Sequence, residues 1–263
     1  MQLDAVRLIY FSPTHTSRAV GRAIARGTGI PGIIETDLTH EMSVTSVVAD
    51  HDLCIVVVPV YGGRVAEVAM QRLERISGGK CPVVPVVVYG NRDYEDALLE
   101  LTDWTLAHGF VPVAGAAFIG EHSFSRPGRP VAENRPDADD LQVAECLGRE
   151  VMVRLKERGE GQQLPELEVK GNRPYKVKGN KTPQAPVVLA ELCTQCGLCA
   201  EVCPVGAVTV GEEVVNDAEC CIKCCACVKE CPQKALVFDT PFTDFLFQNF
   251  SARREPELFF QAL

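Results

Sequence analysis

Cys193-Thr194-Gln195-Cys196-Gly197-Leu198-Cys199-Ala200-Glu201-Val202-Cys203-Pro204 has a partner starting 28 positions later, Cys221-Ile222-Lys223-Cys224-Cys225-Ala226-Cys227-Val228-Lys229-Glu230-Cys231-Pro232. Both read Cys-x2-Cys-x2-Cys-x3-Cys-Pro. Two-residue gaps let a tight turn aim three thiolates at three corners of an iron–sulfur cubane, while the fourth sulfur points elsewhere. The proline after each remote cysteine removes an amide donor and fixes φ, which turns the chain away after the ligand. Zinc sites pair two close ligands with a second pair a dozen or more residues off and need one tetrahedral set. Two matching runs do not follow that pattern. A disulfide scaffold is disfavoured as well, because the cysteines crowd one segment of a long chain without a secretory signal.

The two runs resemble those of bacterial ferredoxins with two clusters, in which the fourth cysteine of each run crosses to the other cluster. The resemblance implies one 4Fe–4S cluster on Cys193, Cys196, Cys199 and Cys231, and a second on Cys221, Cys224, Cys227 and Cys203. Aligning the repeats puts Cys225 in the place of Gly197 and Cys220 in that of Leu192. Only the register starting at Cys221 gives the full spacing. Cys220 and Cys225 therefore read as small buried thiols beside a cluster, against ligand exchange or redox sensing. Cys54, Cys81 and Cys146 lie in or beside apolar stretches and read as core cysteines.

Outward from these runs the chain is ordinary. Of 263 residues, 46% are hydrophobic and 23% charged, enough for a soluble protein with a real core. A net charge of −9 argues against a nucleic-acid partner, which calls for a basic face. The longest apolar stretch, Leu53 to Val60, is too short to span a bilayer. Unprotected clusters and many free thiols point to a reducing, anaerobic cytoplasm.

Residues 1–156 alternate strand-like and helix-like segments. The strands read Val6–Phe11, Ile33–Leu38, Leu53–Val60, Pro82–Tyr89 and Phe110–Ile119. Several are nearly continuous Val, Ile, Leu and Ala, the pattern of parallel strands covered on both faces. Between them, Thr16–Arg26, Val65–Ile76, Asp93–His108 and Asp139–Lys156 read as amphipathic helices, with Asp93 and Asp139 as N-caps. The class is α/β, a doubly wound five-stranded parallel sheet with its ligand crevice at the strands' carboxyl ends.

Three loops leave those ends. Ser12-Pro13-Thr14-His15-Thr16-Ser17 offers hydroxyls and free amides at a helix N-terminus, as a phosphate dianion requires. A plain helix cap needs only one hydroxyl. Pro59-Val60-Tyr61-Gly62-Gly63-Arg64 and Val88-Tyr89-Gly90-Asn91-Arg92-Asp93-Tyr94 each join glycine with an aromatic and an arginine, which suits a planar ligand lying on backbone.

These loops resemble the flavodoxin family, whose phosphate loop has the form Ser/Thr-x-Thr-Gly-x-Thr. With the two cluster motifs, the chain resembles the flavodoxin–ferredoxin fusion proteins of anaerobes. Phe118-Ile119-Gly120-Glu121-His122-Ser123-Phe124-Ser125 is also typical of that group. The resemblance implies a flavodoxin-like domain over 1–156, a linker over 157–186, a small α+β two-cluster ferredoxin-like domain over 187–238 and a Phe-rich segment over 239–263. It implies FMN, with Ser12, Thr14, His15, Thr16 and Ser17 on the phosphate. Tyr61, Gly62, Gly63, Arg64, Tyr89, Gly90, Asn91, Arg92, Asp93 and Tyr94 would flank the isoalloxazine. His15 stands where the family has glycine. It either donates to the phosphate or is an exposed turn histidine. Arg64 and Arg92 are either cations that raise the flavin's potential or solvated surface charges.

The linker carries Pro165, Pro174, Pro183 and Pro186, which stiffen it. Its stretch Lys170–Lys181 has five basic residues and no acid. That stretch reads as solvated, as a clamp on the acidic ferredoxin-like part, or as a docking site. Seven of the 11 phenylalanines fall in the last 26 residues. Phe242, Phe245, Leu246 and Phe250 follow helical spacing, either a helix closing over the molecule or a homodimer contact.

The expected function is electron transfer among FMN, two clusters and redox partner proteins. A flavin-dependent reductase of a quinone or nitro compound and a cluster-based redox sensor stand as alternatives. No Gly-x-Gly-x-x-Gly follows a strand and no hydrolytic constellation stands out. Glu121 and His122 fall where they would line the flavin's open face.

Overall fold

The computed structural model describes residues 3–41, 51–157, 166–179 and 182–261. Along the N-terminal part come β1 (Val6–Tyr10), α1 (Thr16–Gly27), β2 (Ile33–Asp37), β3 (Leu53–Tyr61), β4 (Arg64–Val65), α2 (Glu67–Leu73), β5 (Pro82–Tyr89), α3 (Ala97–Ala107), β6 (Val111–Pro112), β7 (Ala114–Ile119) and α4 (Ala138–Glu157). The five main strands are parallel in the order β2-β1-β3-β5-β7. This is the flavodoxin-like doubly wound order. In register, Val6 lies opposite both Ile33 and Leu53, and Cys54 lies opposite Val83. Successive strand residues face opposite sides. Val56, Val58 and Val87 therefore pack on Leu73, Leu98, Leu101 and Trp104 of α2 and α3. Ile55, Val57 and Val86 pack on Val20, Ile24, Leu147 and Val151 of α1 and α4. Two cores on one sheet hold the loops at its carboxyl edge.

Local physics moves several expected boundaries. The continuous strand expected from Phe110 breaks at Val113 into β6 and β7, although both pair with β5. The helix expected from Val65 starts at Glu67, because Arg64 and Val65 fold back on Tyr61 and Val60 as a hairpin. Gly62 and Gly63 form its two-residue turn at φ 67° and 82°, the conformation that tight hairpins require. Asp96 rather than Asp93 precedes α3. At α4, Asp137 Oδ1 accepts from the Asp140 amide and Asp140 Oδ2 from the Asp137 amide, so the cap is this reciprocal pair and not Asp139. Cys54 and Cys81 are buried as expected, but Cys146 is exposed on α4.

The cysteine-rich part contains β8 (Val187–Val188), α5 (Leu198–Glu201), β9 (Val208–Val210), β10 (Val214–Asn216), α6 (Ala226–Lys229) and β11 (Leu236–Val237). Two antiparallel pairs, β9 with β10 and β8 with β11, complete it. The sequence repeat is also a backbone repeat. Gln195 and Lys223, Gly197 and Cys225, and Gly206 and Lys234 are left-handed pairs, each offset by the same 28 positions. Cys225 thus takes up the glycine conformation of Gly197 at the start of a matching helix, at a cost of roughly 1 kcal/mol. It is buried, whereas Cys220 is exposed.

The tail forms α7 (Pro241–Phe250) and β12 (Glu257–Phe260). Pro241 at the first helical position and the Thr240–Thr243 capping box start α7. β12 then pairs antiparallel with β7, adding a sixth strand that the apolar pattern did not announce.

Among the described residues, the basic stretch is a strap with ion pairs to the flavodoxin-like half. Arg173 pairs with Asp103 of α3 at 2.5 Å, and Lys176 with Glu95 at 2.5 Å. The Asn172 and Lys176 amides both donate to Asp96. Pro165 and Lys181 lie outside the described residues. Among the described residues, no helix is long and apolar enough to cross a membrane.

Candidate functional site

The carboxyl ends of β1, β3, β5 and β7 open into a cavity of about 900 Å³, within the range of small-molecule sites. Its wall includes Ser12, Thr14, Thr16 and Ser17 from the first loop, and Tyr61, Gly62 and Gly63 from the second. Tyr89, Gly90, Arg92 and Asp93 come from the third. Of the first loop's hydroxyls, one serves the fold itself, since Ser12 Oγ accepts from the Arg18 amide at 3.0 Å and caps α1. Ser17 Oγ, in a residue only 1% exposed, has no hydrogen-bond partner. A buried hydroxyl without a partner costs about 1–3 kcal/mol. On the wall of a cavity at a helix N-terminus, such a hydroxyl is free to donate to an anionic acceptor. Gly120 lets the end of β7 lie close to this loop, since a Cβ there would come within 2.8 Å of Val88 and 3.1 Å of Thr16. Loop hydroxyls at a helix N-terminus, glycine-lined walls and sufficient volume fit FMN.

Four of the expected residues stand off this wall. His15 takes the left-handed conformation that glycine would supply, at φ 65°. Its ring points away to Glu230 of the ferredoxin-like part, 3.2 Å distant. Arg64 is held by both oxygens of Glu100, at 2.8 and 2.6 Å, and lies over the Tyr175 ring. Its charge is neutralised outside the cavity, so of the two arginines only Arg92 remains beside it, itself paired with Glu95. Asn91 donates to the Phe250 and Ala252 carbonyls at 2.6 and 2.8 Å, anchoring the tail. Tyr94 is buried, with its hydroxyl on Glu257 of β12.

The tertiary structure adds residues from distant segments to the wall. Phe124 continues into a chain of rings through Phe242, Phe245 and Phe250, with neighbouring centroids 5.7–6.4 Å apart. Phe242 and Phe245 remain 45% and 47% exposed at the mouth. Lys176 and Lys178 of the strap and Ile222 and Lys223 of the second cysteine run also line it. The helical spacing of the phenylalanines was legible in the sequence, but their destination was not.

Two smaller cavities lie in the cysteine-rich part. One is lined by Cys193, Cys196, Cys199 and Cys231, the other by Cys203, Cys221, Cys224 and Cys227. Each gathers the three spaced thiols of one run and the remote thiol of the other, and the second is also lined by Cys225. Backbone amides already approach the crossing sulfurs, Ala207 N at 3.2 Å from Cys203 Sγ and Ala235 N at 3.3 Å from Cys231 Sγ. Among the described residues, no group of three or more His, Cys, Asp or Glu gathers closely enough for a lone metal ion. Four thiols around one small cavity, with amides on the sulfurs, fit a cubane.

Residues 186–209 match the family model of the 4Fe-4S binding domain, spanning the whole first run. The chain fits a flavodoxin–ferredoxin fusion. No curated protein matches the chain. Among solved structures, similarity is found to a flavodoxin from the domain Archaea, with 11% identity, a TM-score of 0.37, and 58% of this chain and 99% of that one covered. Flavodoxin from Fusobacterium nucleatum bound to flavin mononucleotide is 16% identical, with a TM-score of 0.37 over 58% of this chain and 97% of that one. Rubredoxin oxygen:oxidoreductase from the anaerobe Desulfovibrio gigas is 15% identical, with a TM-score of 0.39 over 59% of this chain and 37% of that one. The assignment of the flavodoxin-like fold rests on strand order, not on these likenesses.

The fusion shapes the chemistry of its own cavity wall. Glu121 pairs with Lys229 of the second run at 2.7 Å. Beside it, His122 Nδ1 accepts from the Phe124 amide at 3.0 Å, so in the neutral ring the proton sits on Nε2. Burial, with Lys229 and Arg92 adding to it, lowers the His122 pKa to about 4. Below pH ~6.5 the unfolded chain takes up a proton that the folded chain refuses. Stability is therefore expected to fall as pH drops from about 6.5 towards about 4, by at most ~2 kcal/mol between pH 7 and pH 5. Urea unfolding followed by Trp104 fluorescence checks this. His122→Asn should flatten the dependence, and an unchanged slope would refute the assignment.

Proposed function

We propose that the chain is an electron-transfer iron–sulfur flavoprotein of anaerobic metabolism. It binds FMN in the large cavity and 4Fe–4S clusters at the two four-cysteine sites, and exchanges electrons with a redox partner protein. When bound, these groups supply conversion between two-electron and one-electron transfer.

One observation carries the proposal. Ile222, between the ligands Cys221 and Cys224, lines both the large cavity and the second four-cysteine site. A single residue layer separates the two. Tyr61 and Ile222 both pack against the core cluster on the flavodoxin-like side. Rings of the Phe124–Phe250 chain and the strap lysines Lys176 and Lys178 all line the cavity. Ser17 would bind the phosphate, and His122 would hold a proton at Nε2.

At the first four-cysteine site Cys199 and Cys231 are buried, whereas Cys196 is exposed. Pro204, Lys229 and Glu230 are among the residues of the ferredoxin-like part that bond or pair with the flavodoxin-like domain. The exposure of Cys196 supports the first run as the end that meets a partner protein. The tail and the Ile222–Lys223 loop both stand on the cavity wall, which favours a carrier over an open reductase.

Anaerobic purification followed by iron, acid-labile sulfide and released-flavin assays tests the proposal. The expected result is about eight irons and one FMN per chain. Eight irons without flavin would mean that the Ser12–Ser17 loop holds another ligand, and the flavoprotein reading would fall.

A further inference from the structure

Arg72 belongs to α2 of the flavodoxin-like domain, yet one of its three hydrogen bonds leaves that domain. Nη1 donates to the Leu38 and Thr39 carbonyls at 2.8 and 2.6 Å, and Nη2 to the Pro204 carbonyl at 2.7 Å. Its guanidinium lies 5.7 Å from the centroid of the Phe11 ring. Among the described residues it forms no ion pair with a carboxylate, whereas Arg22, Arg64 and Arg173 each do. Burial lowers its pKa, but a guanidinium keeps its charge at any ordinary pH. Among the described residues this partly desolvated cation gives its hydrogen bonds to carbonyls, with Glu41 and Asp37 acting on its charge without pairing to it.

The third carbonyl has a particular address. Pro204 directly follows Cys203, and Val205 lines the second four-cysteine site. The guanidinium is thereby held beside the residue that follows Cys203, whose Sγ accepts from the Ala207 amide at 3.2 Å. Reduction adds negative charge to a cluster that four thiolates already make anionic. Sulfur hydrogen bonds and nearby charge are the terms that set its potential. In a partly buried site a cation is screened weakly and favours the reduced form.

We propose that Arg72 raises the reduction potential of the cluster on Cys203, Cys221, Cys224 and Cys227 through its charge, held beside that site by the Pro204 carbonyl. The inference rests on the two-cluster reading given above. It makes α2 of one domain a tuning element for the cofactor of the other, at the site nearest the flavin cavity.

The test is an anaerobic redox titration of the full chain, followed by electron paramagnetic resonance, on Arg72→Lys, Arg72→Gln and Arg72→Met. Iron, sulfide and flavin contents are measured first. If these are not the expected ones in the unmutated chain, the functional reading fails and not the role of Arg72. With cofactors in place, Arg72→Gln and Arg72→Met should weaken reduction of one cluster about tenfold, a shift of about 59 mV to lower potential for one electron. The other cluster should stay put, and Arg72→Lys should fall between. Arg26→Gln is the charge control, because Arg26 lies at the far end of α1 on Glu145; it should move neither potential. If Arg72→Met does not fold, the Gln and Lys variants decide. Unmoved potentials in the folded Gln variant, or equal shifts of both clusters, would overturn the proposal.

Discussion

Cys203→Ser is expected to empty the cluster site of the other run while leaving its own run loaded. Iron should fall from about eight to about four per chain. The reason lies in the walls of the two small cavities, where Cys203 stands with Cys221, Cys224 and Cys227, and Cys231 with Cys193, Cys196 and Cys199. A cubane loses its hold when one of four thiolates goes, and the other three cannot replace it. Combining variants identifies which site was lost. Cys203→Ser with Cys224→Ser should lose no more iron than either alone, because both act on one cluster. Cys203→Ser with Cys196→Ser should lose nearly all of it. The reverse pattern would mean that each run closes on itself, and the crossed arrangement would have to be abandoned. Buried Cys225 lines the second site beside these ligands.

Ser17→Ala should shift two quantities in opposite directions. In the flavin-free chain Ser17 Oγ is buried without a partner. Its removal should stabilise that form by about 1–3 kcal/mol. FMN should bind roughly 10- to 100-fold more weakly, the loss expected for one hydrogen bond to a charged phosphate. Ser12→Ala gives a different signature, because Ser12 Oγ caps the Arg18 amide. That variant should lose about 1 kcal/mol of stability with or without flavin. Unfolding midpoints and flavin fluorescence titrations measure both effects. If Ser17→Ala destabilised the flavin-free chain, the hydroxyl would be a structural group and the phosphate seat would lose its main support.

Much of the architecture could be read from local pattern. The Val-rich runs of β3 and β5 are buried along almost their whole length, as sequences covered on both faces must be. Cysteine spacing is local geometry, and the 28-residue repeat in sequence returns as a repeat in backbone conformation. His15 was legible as the residue in a glycine position. That it would take φ 65° and turn its ring to Glu230 was not, because Glu230 is far along the chain. Arg64 shows the same limit. Its side chain reads as a ligand contact until the Glu100 carboxylate, on a helix one strand later, is seen to hold it.

By itself the sequence determined what depends on short-range spacing and on alternation along one element: the doubly wound α/β class, the repeated cysteine run, the hydroxyl-rich loop that opens α1 and the helical phenylalanine stripe. Only the tertiary structure decided what depends on which distant surfaces meet. It directed the basic strap to the acids of α3 and of the turn before it, placed β12 on the edge of the sheet, set the ring of Phe245 at the cavity mouth, and made Ile222 a wall common to two sites. Contacts of that kind are chosen by charge and shape complementarity between segments far apart along the chain. No periodicity in either segment records its partner.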